Sequence, residues 1–358
     1  MCMLTVAARG TQHGERMERV RITGVGVAHP PFRVDQKEAA IRVGEATGDT
    51  RRARAIARGS MIGQRATVLP AEELVSPGSI EVRNAIYREH APALAAEAAR
   101  SALCSAPGRA PASLVTSSCT GYALPGWSAS LVGSLGLCAD TSRVPLTEAG
   151  CAGGAVALTQ AAHIVRSQGG AALSVAAELC TLSFHPDTDD DTLTANLIFG
   201  DGAGAALVEP GDGPGLEIID SASFLVPRSE HALGFDLTDR GFRAVINRSL
   251  ADIVAPHTKH AIERLLHRNG LDPCGVDAWL LHPGGARILH KVEAAFGIPK
   301  AAMQWSWDSL QEFGNTSSAA IFDVLRRYID DPVAPRGWGV IAAFGPGVSI
   351  ELLLVRSR

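Results

Sequence analysis

The chain has 358 residues, of which 46% are hydrophobic and only 5% aromatic, and it carries a formal net charge of −4 with an isoelectric point near 6.3. At about 100–200 residues per domain, this length predicts two domains or two tightly packed halves with a large core. The balanced charge argues against nucleic acid or an anionic membrane surface as the main partner.

The N-terminal segment and the cysteines predict a cytoplasmic protein. The apolar stretch at the start of the chain is broken by Arg9, which leaves it too short for the hydrophobic region of a signal peptide. No run of about 18 apolar residues follows, so we expect no transmembrane helix. The seven cysteines show neither CxxC spacing nor nearby pairs of histidines, which argues against a disulfide framework and against structural zinc.

Apolar runs of strand length alternate with helical-period segments along the chain, a pattern typical of α/β architecture. In the first half, strands alternate with helices at residues 20–28, 91–103, 113–118, 154–169 and 171–179. In the second half, a strand, a helix, a strand, a helix and two further strands are predicted at residues 216–226, 257–270, 276–282, 316–329, 338–344 and 349–355.

Both halves therefore run in the same order, which indicates an internal duplication. We predict one stacked α/β unit, with layered αβαβα halves that comprise residues 1–212 and 213–358. The boundary is placed in the glycine- and proline-rich segment 211–215, because these residues commonly separate elements.

The duplication pairs three local sites. Cys151 in EAGCAGGAV and Asn315 in EFGNTSSAA each follow a glycine at the start of equivalent helices. His282 ends the strand that corresponds to the strand ending at Cys119. Because α/β folds collect their chemistry at strand ends and helix starts, we expect Cys151, His282 and Asn315 to meet.

A thiol at a helix N-terminus lies at the positive end of the helix dipole, which favours the thiolate, and a nearby imidazole favours it further. The neighbouring glycines permit a tight turn and close approach of a ligand. By residue type alone each group also has a plainer interpretation. Cys151 would be a small core residue, His282 a packed imidazole and Asn315 a helix N-cap.

The combination of motifs is more specific than its parts. The Cys151 motif GCAGG, the His282 motif WLLHPGG, the Asn315 motif EFGNTSSA and the segments FGDGAGAAL and AFGPGVSIE occur in this order. Together they resemble bacterial-type type III polyketide synthases, the chalcone-synthase-like branch of the thiolase superfamily. The initiating ketoacyl synthases also carry Cys, His and Asn, but their histidine motif lacks the Pro-Gly-Gly that follows His282.

The resemblance implies a thiolase fold, a homodimer and a decarboxylative condensation without metal or cofactor other than CoA thioester substrates. Cys151 would attack an acyl-CoA starter and hold the growing chain. His282 and Asn315 would donate hydrogen bonds to the malonyl thioester oxygen, on which negative charge grows during decarboxylation. The product would leave as a pyrone, a resorcinol or a related aromatic polyketide.

The resemblance also implies roles for residues around this centre. Phe199 would be the gatekeeper between the CoA tunnel and the cavity, whereas Asn247 occupies the second gatekeeper position, with Phe242 close by. Leu124 would reach across the dimer interface into the partner's cavity. Further substrate-binding positions are Cys119, Cys180, Ser183, Ser317, Gly345 and Pro346, and Gly284 and Gly285 would contact CoA.

The basic run at residues 50–65 lacks interleaved aromatic residues, so a nucleic-acid patch is not favoured over a solvated helix face. The resemblance implies that Arg58 and Arg65 contact the CoA phosphates, for which a guanidinium is well suited. The acidic segment 185–192 lacks the glycine of an EF-hand and is interpreted as a solvated loop.

Two alternative activities remain open from the sequence. One is a non-elongating acyl-CoA transferase, and the other is a single-condensation enzyme like ketoacyl synthase III. A scaffold protein without activity is a third, non-enzymatic interpretation. The starter also remains open between a medium or long acyl-CoA and malonyl-CoA itself, and the extender between malonyl and methylmalonyl units.

Overall fold

The computed structural model describes residues 19–106, 108 and 110–357. The apolar stretch broken by Arg9 lies outside these residues. Within them, no helix combines the length and apolar character needed to span a membrane. The six cysteines of the described part are free thiols.

Strands and helices follow one another along the described chain. The strands are β1 (Val20–Ala28), β2 (Phe32–Asp35), β3 (Gln64–Thr67), β4 (Pro111–Ser117), β5 (Ser142–Leu146), β6 (Ala171–Leu179), β7 (Asp201–Pro210), β8 (Leu216–Leu225), β9 (Leu233–Thr238), β10 (Gly241–Ile246), β11 (Ala278–Leu281), β12 (Gly337–Gly345) and β13 (Ser349–Ser357). The α-helices are α1 (Gln36–Thr47), α2 (Thr50–Gly59), α3 (Ile80–Ser105), α4 (Ser128–Ser134), α5 (Gly153–Gln168), α6 (Asp190–Ile198), α7 (Leu250–Arg268), α8 (Ala286–Phe296), α9 (Gln304–Phe313) and α10 (Ala320–Asp330).

The large sheet of the described chain has the order β11-β12-β13-β8-β1-β7-β6-β4-β5. In the first half, β5, β4 and β6 are parallel, and β7 and β1 continue the sheet antiparallel. The second half repeats this plan, since β11 and β12 are parallel and β13 and β8 follow antiparallel. The halves join where β1 pairs with β8 over three residue pairs.

Helices α5 and α10 form the central layer between the two halves of the sheet. Their apolar side chains share one buried cluster with the inner faces of strands from both halves. Helix α3 covers the outer face of the first half, and α7 and α8 cover that of the second. All nine residues of β6 are buried, as expected for a strand covered on both faces.

The thiolase-type layered fold predicted from the sequence is confirmed, and β1 and β6 have the predicted ends. The predicted helix at 316–329 begins later, because residues 317–319 form a 3-10 turn before α10. Strands β5 and β7, the two-stranded sheet β2–β3 and the hairpin β9–β10 were not predicted. Hairpin β9–β10 is largely exposed or half-buried, so its sequence lacks the apolar run of a core strand.

Gly154 lies where α5 comes closest to the turn that leads into α10. A Cβ at this position would lie 2.2 Å from the Ser318 carbonyl oxygen and 2.6 Å from Ile321 Cγ2. The first turn of α5 therefore packs backbone against backbone on the turn that leads into α10.

Gly154→Ala is expected to lower the free energy of unfolding by about 1–3 kcal/mol, because the new methyl group overpacks a contact between backbones. Gly133→Ala in α4 is the matched control, since no atom lies within 4 Å of a Cβ there. The higher helix propensity of alanine makes that change neutral or stabilising by up to about 1 kcal/mol. Urea denaturation of both variants compares the two sites, and equal stability of the two would contradict the tight packing.

Candidate active site

Cys151 lies in a one-turn 3-10 helix, residues 150–152, which leads directly into α5. Gly150 has a φ of +50°, and a Cβ there would come within 2.5 Å of Pro346 Cδ. A side chain at Gly345 would likewise meet the Ala149 carbonyl oxygen at 2.7 Å. The predicted substrate-binding residues Gly345 and Pro346 therefore pack behind the turn that presents Cys151.

His282 directly follows β11, where its N–H donates to the Ala342 carbonyl oxygen of β12 at 2.7 Å. The side chain is 1% exposed, and neither ring nitrogen has a hydrogen-bond partner among the described residues. A Cβ at Gly284 would lie 3.3 Å from His282 Nε2, so the Pro-Gly-Gly sequence leaves space beside the imidazole.

Asn315 is held by backbone and side-chain hydrogen bonds. Its N–H donates to the Ile198 carbonyl oxygen at 2.8 Å, and its own carbonyl accepts from Gly200 N–H at 3.0 Å. The side-chain Oδ1 accepts from Ser317 N–H at 2.8 Å. Nδ2 donates to the Gly284 carbonyl oxygen at 3.2 Å and lies 4.0 Å from Cys151 Sγ. The amide therefore points its donor side toward Cys151 Sγ.

The structure thus brings Cys151, His282 and Asn315 together on the wall of one cavity of about 460 Å³. Phe199, Gly284 and Gly285, which were also predicted to contact substrate or CoA, line the same cavity. The wall is mostly apolar, with Ile198, Leu233, Ile246 and Phe344 among its residues. In such surroundings each hydrogen bond to a developing charge is stronger than in water.

Burial determines the ionisation of this centre. Burial raises the pKa of the Cys151 thiol to about 11, although hydrogen bonds from Ser317 and Asn315 oppose the shift. Burial also lowers the pKa of His282 to about 3. Both side chains are therefore neutral at pH 7 in this structure. Burial therefore opposes the thiolate that the helix N-terminus favours.

Cys119 lies near Cys151, and Ser317 contacts both thiols. Its sulfur is 3.6 Å from Ser317 Oγ and 3.5 Å from Glu178 Oε1. Burial, together with the nearby carboxylate, raises the pKa of Cys119 well above its ordinary value. Ser317 itself is buried and has a φ of +51°, in the left-handed region that residues with a side chain seldom adopt.

Glu178 was not identified from the sequence. This fully buried carboxylate accepts hydrogen bonds from Cys119 N–H at 3.0 Å, Thr120 Oγ1 at 2.8 Å and Ser318 Oγ at 2.5 Å. Burial raises its pKa. A single acidic residue within the otherwise small and apolar strand β6 is the sequence signal that would have identified it.

Phe199 separates the main cavity from a much smaller one of about 20 Å³, because it lines both. Cys180 and Ser183 line this smaller cavity. At the second gatekeeper position, Asn247 lines the main cavity. Phe242 contacts Phe235, which in turn contacts Phe199, with ring centroids 6.1 and 6.4 Å apart.

Several predicted substrate-binding residues are absent from the wall of the main cavity, namely Cys119, Cys180, Ser183, Ser317, Gly345 and Pro346. The same holds for Leu124, Arg58 and Arg65. Leu124 is 80% exposed on the surface. Arg58 is exposed and absent from the cavity wall. Arg65 is 3% exposed, and its Nη1 donates to the carbonyl oxygens of Asn196 and Phe199, both at 2.8 Å.

The prediction that Arg65 contacts CoA phosphate is therefore wrong, because its guanidinium is buried and donates to the backbone at Asn196 and Phe199. The arginines on the cavity wall are Arg52, Arg248 and Arg287. Helical periodicity contained the signal for Arg52, since Arg52, Ala55, Ile56 and Gly59 share the cavity-facing side of α2.

Arg65→Ala is expected to lower the free energy of unfolding by about 3–5 kcal/mol, because it leaves two buried carbonyl groups without their donor and removes the positive charge near the buried Asp201. Arg58→Ala is the matched control and is expected to change stability by no more than about 0.5 kcal/mol. Chemical denaturation measures both. Equal stabilities would contradict a structural role of Arg65.

Two sequence models of the family "Chalcone and stilbene synthases" match the chain, the N-terminal domain at residues 18–214 and the C-terminal domain at residues 217–358. The 1,3,6,8-tetrahydroxynaphthalene synthase of Streptomyces peucetius subsp. caesius is 33% identical, with 98% of this chain and 94% of that protein covered. The phloroglucinol synthase of Pseudomonas fluorescens is 30% identical, with 81% of this chain and 85% of that protein covered.

The crystal structure of 1,3,6,8-tetrahydroxynaphthalene synthase from Streptomyces coelicolor, a bacterial type III polyketide synthase, superposes with a TM-score of 0.89 at 27% identity. The superposition covers 94% of this chain and 99% of that one. The sequence match, the fold and the convergence of Cys151, His282 and Asn315 on one cavity all lead to the same assignment. The chain belongs to the chalcone and stilbene synthase family of type III polyketide synthases.

Proposed function

We propose that this enzyme loads an acyl group from CoA onto Cys151 and extends it by decarboxylative Claisen condensation with malonyl-CoA. The orientation of the Asn315 amide is the observation that carries the proposal. Its Oδ1 is engaged by Ser317 N–H, so Nδ2 faces the cavity, 4.0 Å from Cys151 Sγ. The neighbouring imidazole of His282 has no partner among the described residues and offers a second donor.

In the loading step, the Cys151 thiol attacks the carbonyl carbon of the starter thioester. The neutral imidazole of His282 is available to accept the thiol proton, since burial keeps the pKa of His282 low before substrate enters. The tetrahedral intermediate then collapses, the bond between the carbonyl carbon and the CoA sulfur breaks, and protonated CoA leaves.

In the extension step, the malonyl carboxylate leaves as CO₂ and its electron pair passes to the thioester as an enolate. Asn315 Nδ2 and the His282 imidazole N–H stabilise the enolate oxygen through hydrogen bonds. The enolate carbon attacks the acyl-Cys151 carbonyl, and the Cys151 sulfur is released. Transfer of the lengthened chain back to Cys151 permits another cycle.

The size of the cavities favours a small starter, such as malonyl-CoA itself, over a long acyl group. The space behind Phe199 is about 20 Å³, which corresponds to roughly one water molecule. The main cavity of about 460 Å³ must also admit the pantetheine arm and the growing chain. A short aromatic polyketide or pyrone fits this volume, in line with the names of the tetrahydroxynaphthalene and phloroglucinol synthases.

Asn315 Nδ2 and the His282 imidazole line the same cavity as Cys151, and this pair of donors supports condensation, because that reaction requires stabilisation of an enolate oxygen. CoA thioesters are the proposed substrates, and no further cofactor is invoked. Among the described residues, no group of three or more His, Cys, Asp or Glu side chains is arranged to hold a metal ion.

We also propose that the enzyme is a homodimer formed through the edge of the sheet at β5. No other strand of the described chain pairs with the outer edge of β5. The loop that follows β4, the strand next to β5, bears two large exposed side chains, Tyr122 (64% exposed) and Leu124 (80% exposed). Unpaired strand edges and exposed apolar side chains are typical of association surfaces.

Asn315→Ala is expected to slow malonyl-CoA decarboxylation about 100- to 1000-fold, the usual effect of removing one oxyanion donor. Release of labelled CO₂ measures this step, and mass spectrometry follows acylation of Cys151, which we expect to persist. Asn269→Ala, in the turn after α7, is the matched control with unchanged rates. Cys151→Ala is expected to abolish the adduct. Adducts on Cys151 without CO₂ in the wild-type enzyme would instead favour acyl transfer.

Leu124→Asp is expected to shift the protein from dimer to monomer, because it places a charge in the proposed apolar contact. Val333→Asp is the matched control, since Val333 is 84% exposed in the turn between α10 and β12. Sedimentation velocity at one protein concentration distinguishes the two variants. A dimer that survives Leu124→Asp, or a monomeric wild-type protein, would exclude this interface.

A further inference from the structure

The cavity entrance carries two arginines from opposite halves of the chain. Arg52 lies in the first turn of α2, and Arg248 lies in the turn that precedes α7. Both line the same cavity as Cys151. Their side chains are 42% and 78% exposed, so each is accessible from solvent at the mouth of the cavity.

One carboxylate bridges these two arginines. Asp190 Oδ1 pairs with Arg52, and Asp190 Oδ2 pairs with Arg248. The Asp190 side chain is only 22% exposed and also lines the cavity. We call Arg52, Asp190 and Arg248 the entrance clasp. Arg52 makes two further contacts, with the Thr188 carbonyl oxygen at 2.8 Å and with Asp49 at 3.4 Å.

The position of Asp190 is fixed by the helix that it begins. Asp189 caps α6 by accepting from Thr192 N–H at 3.0 Å, and Thr194 and Ile198 of this helix line the cavity. The other end of α6 leads into Phe199, which forms a β-bridge with Asn315. The carboxylate of Asp190 therefore belongs to the same rigid element that forms the wall of the catalytic cavity.

We propose that Asp190 is an internal anion of the CoA phosphate site. Its carboxylate holds Arg52 and Arg248 in place and is displaced when the CoA phosphates bind these two arginines. The inference rests on the proposed use of CoA thioesters. A guanidinium binds phosphate and carboxylate through the same pair of N–H groups, so the two anions compete for one set of donors. Asp190 is thus a specificity-determining residue, because only a multiply charged ligand can replace it at both arginines.

The direction of the effect follows from the charges. Asp190→Asn removes the competing negative charge while the amide remains close in size to the carboxylate. The two arginines then present one more unit of positive charge to phosphate, so affinity for a phosphate ligand should increase. A thioester without phosphate groups gains nothing from this change.

The probe is adenosine 3′,5′-bisphosphate, which carries phosphates like those of CoA but no thioester. Calorimetry on the full chain is expected to show roughly 2- to 5-fold tighter binding to Asp190→Asn than to wild type, the range for one exposed ion pair. Tighter binding should be accompanied by a steeper dependence on salt concentration. The KM for malonyl-CoA should fall by a similar factor, whereas that for the malonyl N-acetylcysteamine thioester stays unchanged.

Asp212→Asn is the matched control, because Asp212 forms an ion pair with Arg19 outside the cavity wall. We expect wild-type affinity from this variant. Arg248→Ala should weaken bisphosphate binding, and it provides a second test if Asp190→Asn is unstable. Thermal melting of each variant verifies folding.

Unchanged or weaker bisphosphate binding by folded Asp190→Asn would overturn the proposal. Equal changes in KM for both thioesters would do the same, because they would place the effect inside the cavity. The bisphosphate measurement does not depend on catalysis. A wild-type protein that binds the bisphosphate but never releases CO₂ from malonyl-CoA would refute the condensing activity. It would not contradict the role proposed for the entrance clasp.

Discussion

The contact between the start of α5 and the turn that leads into α10 is the constraint on which the active site depends. A Cβ at Gly153 would lie 3.1 Å from Ser318 Cβ, and a Cβ at Gly154 would lie 2.2 Å from the Ser318 carbonyl oxygen. Because the backbones touch here, Cys151 and Asn315 face one cavity although they are 164 positions apart. Strand β11, which pairs with β12 beside this layer, supplies His282. The geometry of the three residues is therefore a consequence of how the two halves pack.

Burial gives this centre its chemical character. An apolar cavity disfavours charge, and so the thiol of Cys151 and the imidazole of His282 are both neutral before substrate enters. The same exclusion of water strengthens hydrogen bonds from fixed donors to an enolate oxygen. Charge is instead concentrated at the entrance, where Arg52 and Arg248 meet Asp190. Helix α6 connects the two regions, since it begins at the entrance and ends beside Asn315.

In the basic segment at residues 50–65, the tertiary structure places arginines in three different environments. Arg52 faces the cavity, Arg58 faces solvent, and Arg65 is buried against backbone carbonyl groups. Their side chains carry the same charge, so composition does not distinguish them. Helical periodicity separates the first two, but the burial of Arg65 depends on contacts with α6 and Phe199, which are more than 130 positions away.

The sequence by itself determined the layered α/β fold and singled out Cys151, His282 and Asn315, because periodicity and short motifs are local. It also located Phe199 on the cavity wall through the motif around it. Only the tertiary structure decided the orientation of the Asn315 amide, the buried carboxylate of Glu178 and the neutral state of Cys151. The entrance clasp also belongs to this second group, since its members come from α2, α6 and the turn before α7. Distances, desolvation and ion pairs between distant segments arise only when the halves pack, and local sequence does not specify them.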